Sequence, residues 1–187
     1  MELIFTEAQR QDKKYTYADY ISWPEEERWE IIDGVAHMLA APSVAHQSIS
    51  FEFGRQLGNF LRGKPCRAFA APFTVRLADD SVLEPDILIV CDQSKLSDGK
   101  TCNGAPDMVI EILSPSSTAL DKVLKFNKYL QAGVREYWVV YPESRTLSVY
   151  VLKDGRYMAS EHTDADTVPT HVLAGCSISL PDVFAET

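Results

Sequence analysis

A chain of 187 residues with 45% hydrophobic content is long enough to bury a substantial core and reads as one domain, 1–187. Its net charge of −9 disfavours a protein whose whole surface grips nucleic acid, but leaves room for a localised basic cleft or for acids that await a divalent cation. The apolar runs DILIVC and YWVVY are too short to span a bilayer, and MELIFTEAQRQDKK lacks the apolar core of a signal peptide; the expectation is a cytoplasmic protein with no membrane partner.

In chain order, residues 1–14 are polar and are expected to form a flexible or loosely packed segment. Thr16-Tyr17-Ala18-Asp19 reads as a capping box that opens a short helix ending near Ser22, before Pro24. In the segment 28–38, Asp33-Gly34 between two apolar stretches signals a hairpin. Pro42-Ser43 opens the next helix, Ile49, Phe53, Leu57 and Leu61 share one face of it, and Gly63 ends it. Gly54 and Gly58 weaken this helix and predict close packing against a neighbour, while Arg55 and Arg62 fall off the apolar face and are expected in solvent.

Three strands follow at about 66–77, 83–91 and 107–113. A helix at about 118–132 comes next, with Thr118 and Asp121 in a capping pattern and Gly133 as the residue just past its end. A strand at 136–141, a hairpin around Asp154-Gly155 and a weak strand signal near 178–180 complete the chain. The first three strands, joined by loops, predict a meander. The strand after the crossover helix predicts a parallel pairing. The fold class is therefore α/β: a mixed sheet with helices on both faces and a hairpin toward each end. Cys66, Cys91, Cys102 and Cys176 show neither C-x-x-C nor zinc-ligand spacing and read as free thiols of a reducing compartment.

Two acids stand where strands do not need them. Asp86 follows Pro85 at the head of the apolar run 87–90; a strand-start acid satisfied by local backbone is the bland alternative. Glu111 lies among Met108, Val109, Ile110, Ile112 and Leu113, in a strand that reads as buried on both faces. A buried carboxylate must be paired, neutral or metal-bound, and a salt bridge to an arginine or lysine is the competing reading. Lys125 sits on the following helix, four residues after Asp121 and four before Tyr129; helix propensity alone favours an exposed Asp121–Lys125 pair. Proximity of that helix to the end of the Glu111 strand is what favours a role for the lysine. Glu30 reads by default as solvent-facing, with completion of a metal shell or binding of a second ion as its alternative. His46 reads first as a capping or surface histidine. His46, Asp121 and Tyr129 are the candidates for facing substrate. Together, Asp86 and Glu111 with the backbone carbonyl of Ile112 suit Mg²⁺ or Mn²⁺, hard cations that prefer oxygen. Such an ion polarises a phosphodiester and acidifies water, and Lys125 would orient that water or stabilise the developing charge.

Several stretches carry a family likeness: Trp29-Glu30-Ile31-Ile32-Asp33-Gly34, Pro42 with His46, Pro85-Asp86, the run from Pro106 through Glu111 to Ser116, Asp121 through Lys125 to Tyr129, and Gly133-Val134-Arg135-Glu136-Tyr137-Trp138. The chain resembles the restriction-endonuclease-like proteins of the Uma-two type, within the PD-(D/E)XK nuclease superfamily, from about residue 15 to 157. The run ending Leu-Ser-Pro-Ser, followed by D-x-x-x-K and G-V-x-E-Y-W, is specific; Pro-Asp alone is not. The resemblance implies a restriction-endonuclease-like mixed sheet with Asp86 and Glu111 as the metal acids. It also implies Mg²⁺-dependent endonuclease action on DNA, and a homodimer. One departure stands out: the superfamily expects a lysine two residues after the second acid, and position 113 is leucine. Lys125 is the natural substitute, with Lys122 and Lys128 left open. A second reading is a catalytically inactive nucleic-acid-binding or assembly protein of the same fold, which the acidic charge favours. A phosphoesterase acting on other substrates has no positive sign.

Overall fold

The computed structural model describes residues 13–24, 26–114 and 119–185, excluding the side chains of residues 119–121. The expectations for residues 1–12 and for the Thr118–Asp121 cap lie outside these residues. The first helix among the described residues is α1 (Tyr17–Tyr20), where the Asp19 carboxylate accepts from the Thr16 amide at 3.0 Å, one bond of the capping box, and from the Thr16 hydroxyl at 2.9 Å. Strands β1 (Trp29–Ile32) and β2 (Val35–Met38) then pair antiparallel. Asp33 and Gly34 turn between them at φ of 52° and 76°, the left-handed values a two-residue hairpin demands.

Helix α2 (Val44–Leu61) starts at Ser43, whose hydroxyl accepts from the His46 amide at 3.2 Å, and buries Ile49, Phe53, Leu57 and Leu61. Gly54 and Gly58 do not serve close packing: a Cβ at either would meet nothing within 4 Å. That corrects the expectation drawn from their spacing.

Strands 66–77 and 83–91 are each broken in two. The first becomes β3 (Arg67–Ala70) and β4 (Val75–Ala78), the second β5 (Ser81–Leu83) and β6 (Ile87–Val90). Each break carries a proline, Pro72 and Pro85, whose missing N–H cannot join a ladder. At each break the chain crosses between two sheets. The larger has the order β11 (Arg156–Thr163), β10 (Thr146–Lys153), β9 (Glu136–Tyr141), β8 (Met108–Ile112), β6, β3, and the smaller the order β2, β1, β5, β4, β7 (Cys102–Asn103). The two crossings lie side by side, tied by the Ala71 amide donating to the Asp86 carbonyl at 2.9 Å. β7 (Cys102–Asn103) is a short parallel partner of β4, in a segment that reads as loop.

In the larger sheet β3, β6 and β8 (Met108–Ile112) form the expected antiparallel succession, interrupted in sequence by the excursion into the smaller sheet. After α3 (Ala119–Ala132), β9 (Glu136–Tyr141) pairs parallel to β8, as a crossover helix predicts. β10 (Thr146–Lys153) and β11 (Arg156–Thr163) close the sheet, followed by the small pair β12 (Thr167–Pro169) and β13 (Ser177–Ser179) and by α4 (Leu180–Val183). Alternation sends Ile110 and Trp138 to the face covered by α2, and Val109 and Tyr137 to the face where Tyr129 of α3 packs. Both faces are thus buried, which is why β8 reads as continuously apolar.

The free-thiol expectation holds for half of the cysteines. Cys102 and Cys176 are free and buried, whereas Cys66 and Cys91 form a disulfide just beyond the Arg67–Val90 register pair of β3 and β6. Sequence spacing does not show that pairing, because the two residues meet only through sheet register.

Candidate active site

The crossing segment Glu84-Pro85-Asp86 opens on a cleft of about 790 Å³. Its walls include Glu30 of β1, His46 of α2, Glu111 and Ile112 of β8, and Lys122 and Lys125 of α3. Both sheets and two helices therefore contribute to one cavity.

Glu111 and Lys125 form its buried centre. Lys125 Nζ lies 3.1 Å from Glu111 Oε1, 3.2 Å from Oε2 and 2.9 Å from Glu30 Oε1. The Glu84 amide donates to Glu30 Oε1 at 2.9 Å, and Tyr129 donates its hydroxyl to Glu111 Oε1 at 2.6 Å. Asp86 is held at both oxygens: the Ile112 amide donates to Oδ2 at 2.7 Å, and His46 Nε2 lies 3.0 Å from Oδ1. His46 Nδ1 is buried and has no hydrogen-bond partner among the described residues.

Burial raises the Glu111 pKa to about 7 against the opposing pull of Lys125, and the charges of Asp86 and Glu30 add to the rise. Burial also works against the Lys125 charge, yet Glu111 and Glu30, helped by Asp86, hold its pKa above the ordinary lysine range. Burial and the adjacent Glu111 push the Tyr129 hydroxyl well up.

Several of these placements correct the surface readings. Glu30 is 2% exposed rather than solvent-facing. Lys125 is buried against two acids rather than exposed on its helix. His46 caps no solvent face but meets Asp86 in the cleft. Asp86 is satisfied by a backbone amide from another strand, not a local one. Tyr129 is fully buried beneath Glu111 and does not line the cleft, so it is not substrate-facing. The expected salt bridge of Glu111 is present, with Lys125 as its partner. At Ile112 it is the amide that binds Asp86, which leaves the expectation for its carbonyl as it was. Among the three lysines, Lys125 meets the acids, Lys128 pairs with Asp33, and Lys122 stands on the cleft wall with its ammonium 5.6 Å from the centre of the Tyr141 ring. The Asp121 side chain lies outside the described residues.

One part of the site escaped the sequence reading. Glu84 is buried, accepting from Tyr20 at 2.8 Å and from Arg28 at 3.0 Å, and it borders the cleft. Its only sequence signal is its place immediately before Pro85-Asp86.

The donor set fits a divalent cation. Glu30, Glu84, Asp86 and Glu111 supply oxygen to one cleft, and among the described residues Asp86 has no lysine or arginine partner. No three His, Cys, Asp or Glu side chains among the described residues are grouped around one ion position. A cation here would keep water in its shell, as Mg²⁺ does when bound through one or two carboxylates.

Comparison with known proteins agrees with this architecture. A crystal structure of "a putative nuclease belonging to DUF820" from Anabaena variabilis ATCC 29413 matches with a TM-score of 0.76 at 22% identity, over 91% of this chain and 97% of that one. At that identity the likeness is one of fold. Two proteins of Synechocystis sp. (strain ATCC 27184 / PCC 6803 / Kazusa) are also similar. One, slr1290, is 24% identical over 165 residues, 83% of this chain and 86% of its own length. The other, sll1609, is 26% identical over 121 residues, 63% of this chain and 68% of its own. The Uma2 profile, described as "Putative restriction endonuclease", matches residues 17–181, nearly the whole described chain, and the protein belongs to that family.

Proposed function

We propose that the protein is a Mg²⁺- or Mn²⁺-dependent endonuclease that hydrolyses phosphodiester bonds in DNA. The observation that carries this reading is the meeting of Glu111 and Glu30 on Lys125 in the same cleft that Asp86 lines. Asp86 and Glu111 would hold the cation, with Glu30 completing the acidic wall. The chemistry that the bound ion supplies is polarisation of the phosphodiester and a lowered pKa for water.

The chain's own groups do the rest. The Ile112 amide and His46 fix the Asp86 carboxylate at both oxygens, so that its remaining lone pairs keep one direction. Glu30 and Glu111 fix the Lys125 ammonium, which stays protonated at neutral pH. Lys125 orients the attacking water and stabilises the negative charge that builds on the phosphoryl oxygens. Water adds to phosphorus, the P–O bond to the leaving oxygen breaks, and the products are a phosphate monoester and a hydroxyl terminus.

Plasmid nicking in Mg²⁺ and in Mn²⁺ tests the assignment. Wild type is expected to nick; Asp86→Ala and Glu111→Ala are expected to lose at least about 100-fold in rate, the scale of removing one electrostatic contact at a reacting centre. Wild-type protein that binds DNA yet yields no nicks with either ion would leave the non-catalytic binding module as the function.

A further inference from the structure

Exposed apolar side chains grouped on the wall of a cleft are candidates for contact with a ligand. Here Met38 and Phe51 line the same cleft as the acids, and they are 54% and 76% exposed. Phe51 projects from the face of α2 that carries His46, Gln47, Ser50, Gly54 and Arg55 into the cleft wall. One turn beyond Phe51, Gly54 leaves the helix backbone bare, and a Cβ there would enter open space. Gly54, which lines the cleft, thus leaves a recess in its wall beside Phe51.

The charges of the cleft narrow what can occupy this wall. Arg28 is paired with Glu84, Arg55 with Glu52, and Lys125 with Glu30 and Glu111. Among the described residues, Lys122 is the cleft cation without a carboxylate partner. With the chain at −9, phosphate neutralisation supplies little affinity, and a neutral contact must carry much of the grip. A phenyl ring binds the flat face of a base and gains nothing from a phosphate. In an intact duplex those faces are covered by neighbouring bases.

We propose that Phe51, with Met38 and the recess at Gly54, forms a nucleobase subsite for an unstacked base flanking the phosphate at the Asp86–Glu111 site. The substrate class is then single-stranded or locally opened nucleic acid rather than closed duplex. This rests on the nuclease reading of the cleft and adds to it the state of the strand that the cleft takes.

The test uses the full chain in EDTA, with a 2-aminopurine-labelled single strand and its duplex as probes. Wild type binds the single strand more tightly than the duplex and changes the 2-aminopurine emission. Phe51→Ala weakens single-strand binding by roughly 5- to 100-fold, the range for loss of one base–aromatic stack. Phe51→Tyr restores binding, and Gly54→Leu, which fills the recess, behaves like Phe51→Ala. Single-strand affinity and emission unchanged in both Phe51→Ala and Gly54→Leu would overturn the subsite, as would a wild-type preference for duplex. So would a Phe51→Ala variant that only dissociates a dimer in sedimentation, since a second copy would then cover the ring. The two readings fail separately. Nicking that depends on Asp86 alongside Phe51-independent binding removes the subsite alone, and Phe51-dependent binding without nicking removes the nuclease alone.

Discussion

Glu111 combines opposing demands. It is almost wholly buried, it is paired with Lys125, and it still holds its proton up to about pH 7 because burial and two neighbouring acids outweigh that pairing. The sign for stability follows directly. Below the ordinary glutamate value of 4.5 the carboxyl is protonated whether folded or not. As pH rises from 4.5 to about 7, the unfolded chain releases this proton while the folded chain keeps it, so this residue's contribution falls, then levels above 7. Glu111→Gln is expected to flatten that fall. Urea unfolding across this range in EDTA checks it, and an unchanged slope would contradict the assignment. At this scale Asp86 and Glu111 were visible in the sequence because an acid inside an apolar strand is conspicuous. Glu30, His46 and Lys125 stood out only as candidates beside a surface reading, and their burial was not legible. Each sits in a hairpin or helix whose own pattern permits exposure, and only tertiary contact decides which face is covered.

Elements were read correctly where a local period or a turn dipeptide specifies them: α2, α3, and the hairpins at Asp33-Gly34 and Asp154-Gly155. They were misread where the chain changes sheets, since apolar composition continues through both breaks and only Pro72 and Pro85 mark them. β9 carries an acid with a different task. Glu136 is fully buried and accepts from the Trp138 indole and from the His171 and Val172 amides, each at 2.8 Å. It thereby pins the segment after β12 to the central sheet. Glu136→Ala leaves the buried Trp138 indole and two partly buried amides without this acceptor and is expected to cost about 3 kcal/mol. Glu136→Gln, which keeps one acceptor oxygen, should cost less. Urea midpoints of the two variants measure the difference, and equal loss in both would mean that volume rather than hydrogen bonding is at stake.

Across the whole molecule, the cysteines report how completely the core closes. Burial raises the Cys102 thiol pKa to about 11 and also raises that of Cys176. The native protein at pH 8 is expected to release no signal with a thiol reagent. Denatured without reductant it should show two thiols, and with reductant four. Four thiols without reductant would remove the Cys66–Cys91 link. The crossing of the chain between two sheets has a consequence for the order in which the protein comes into being. Glu30 and Glu111 both precede Lys125 during synthesis, and the cation that pairs with them arrives on a later helix. Until α3 emerges, mutual repulsion opposes bringing Glu30 of one sheet against Glu111 of the other. Once α3 docks, a single ammonium latches both sheets. The cleft thus closes only once α3 is made, and a chain that stops short of it has no finished site.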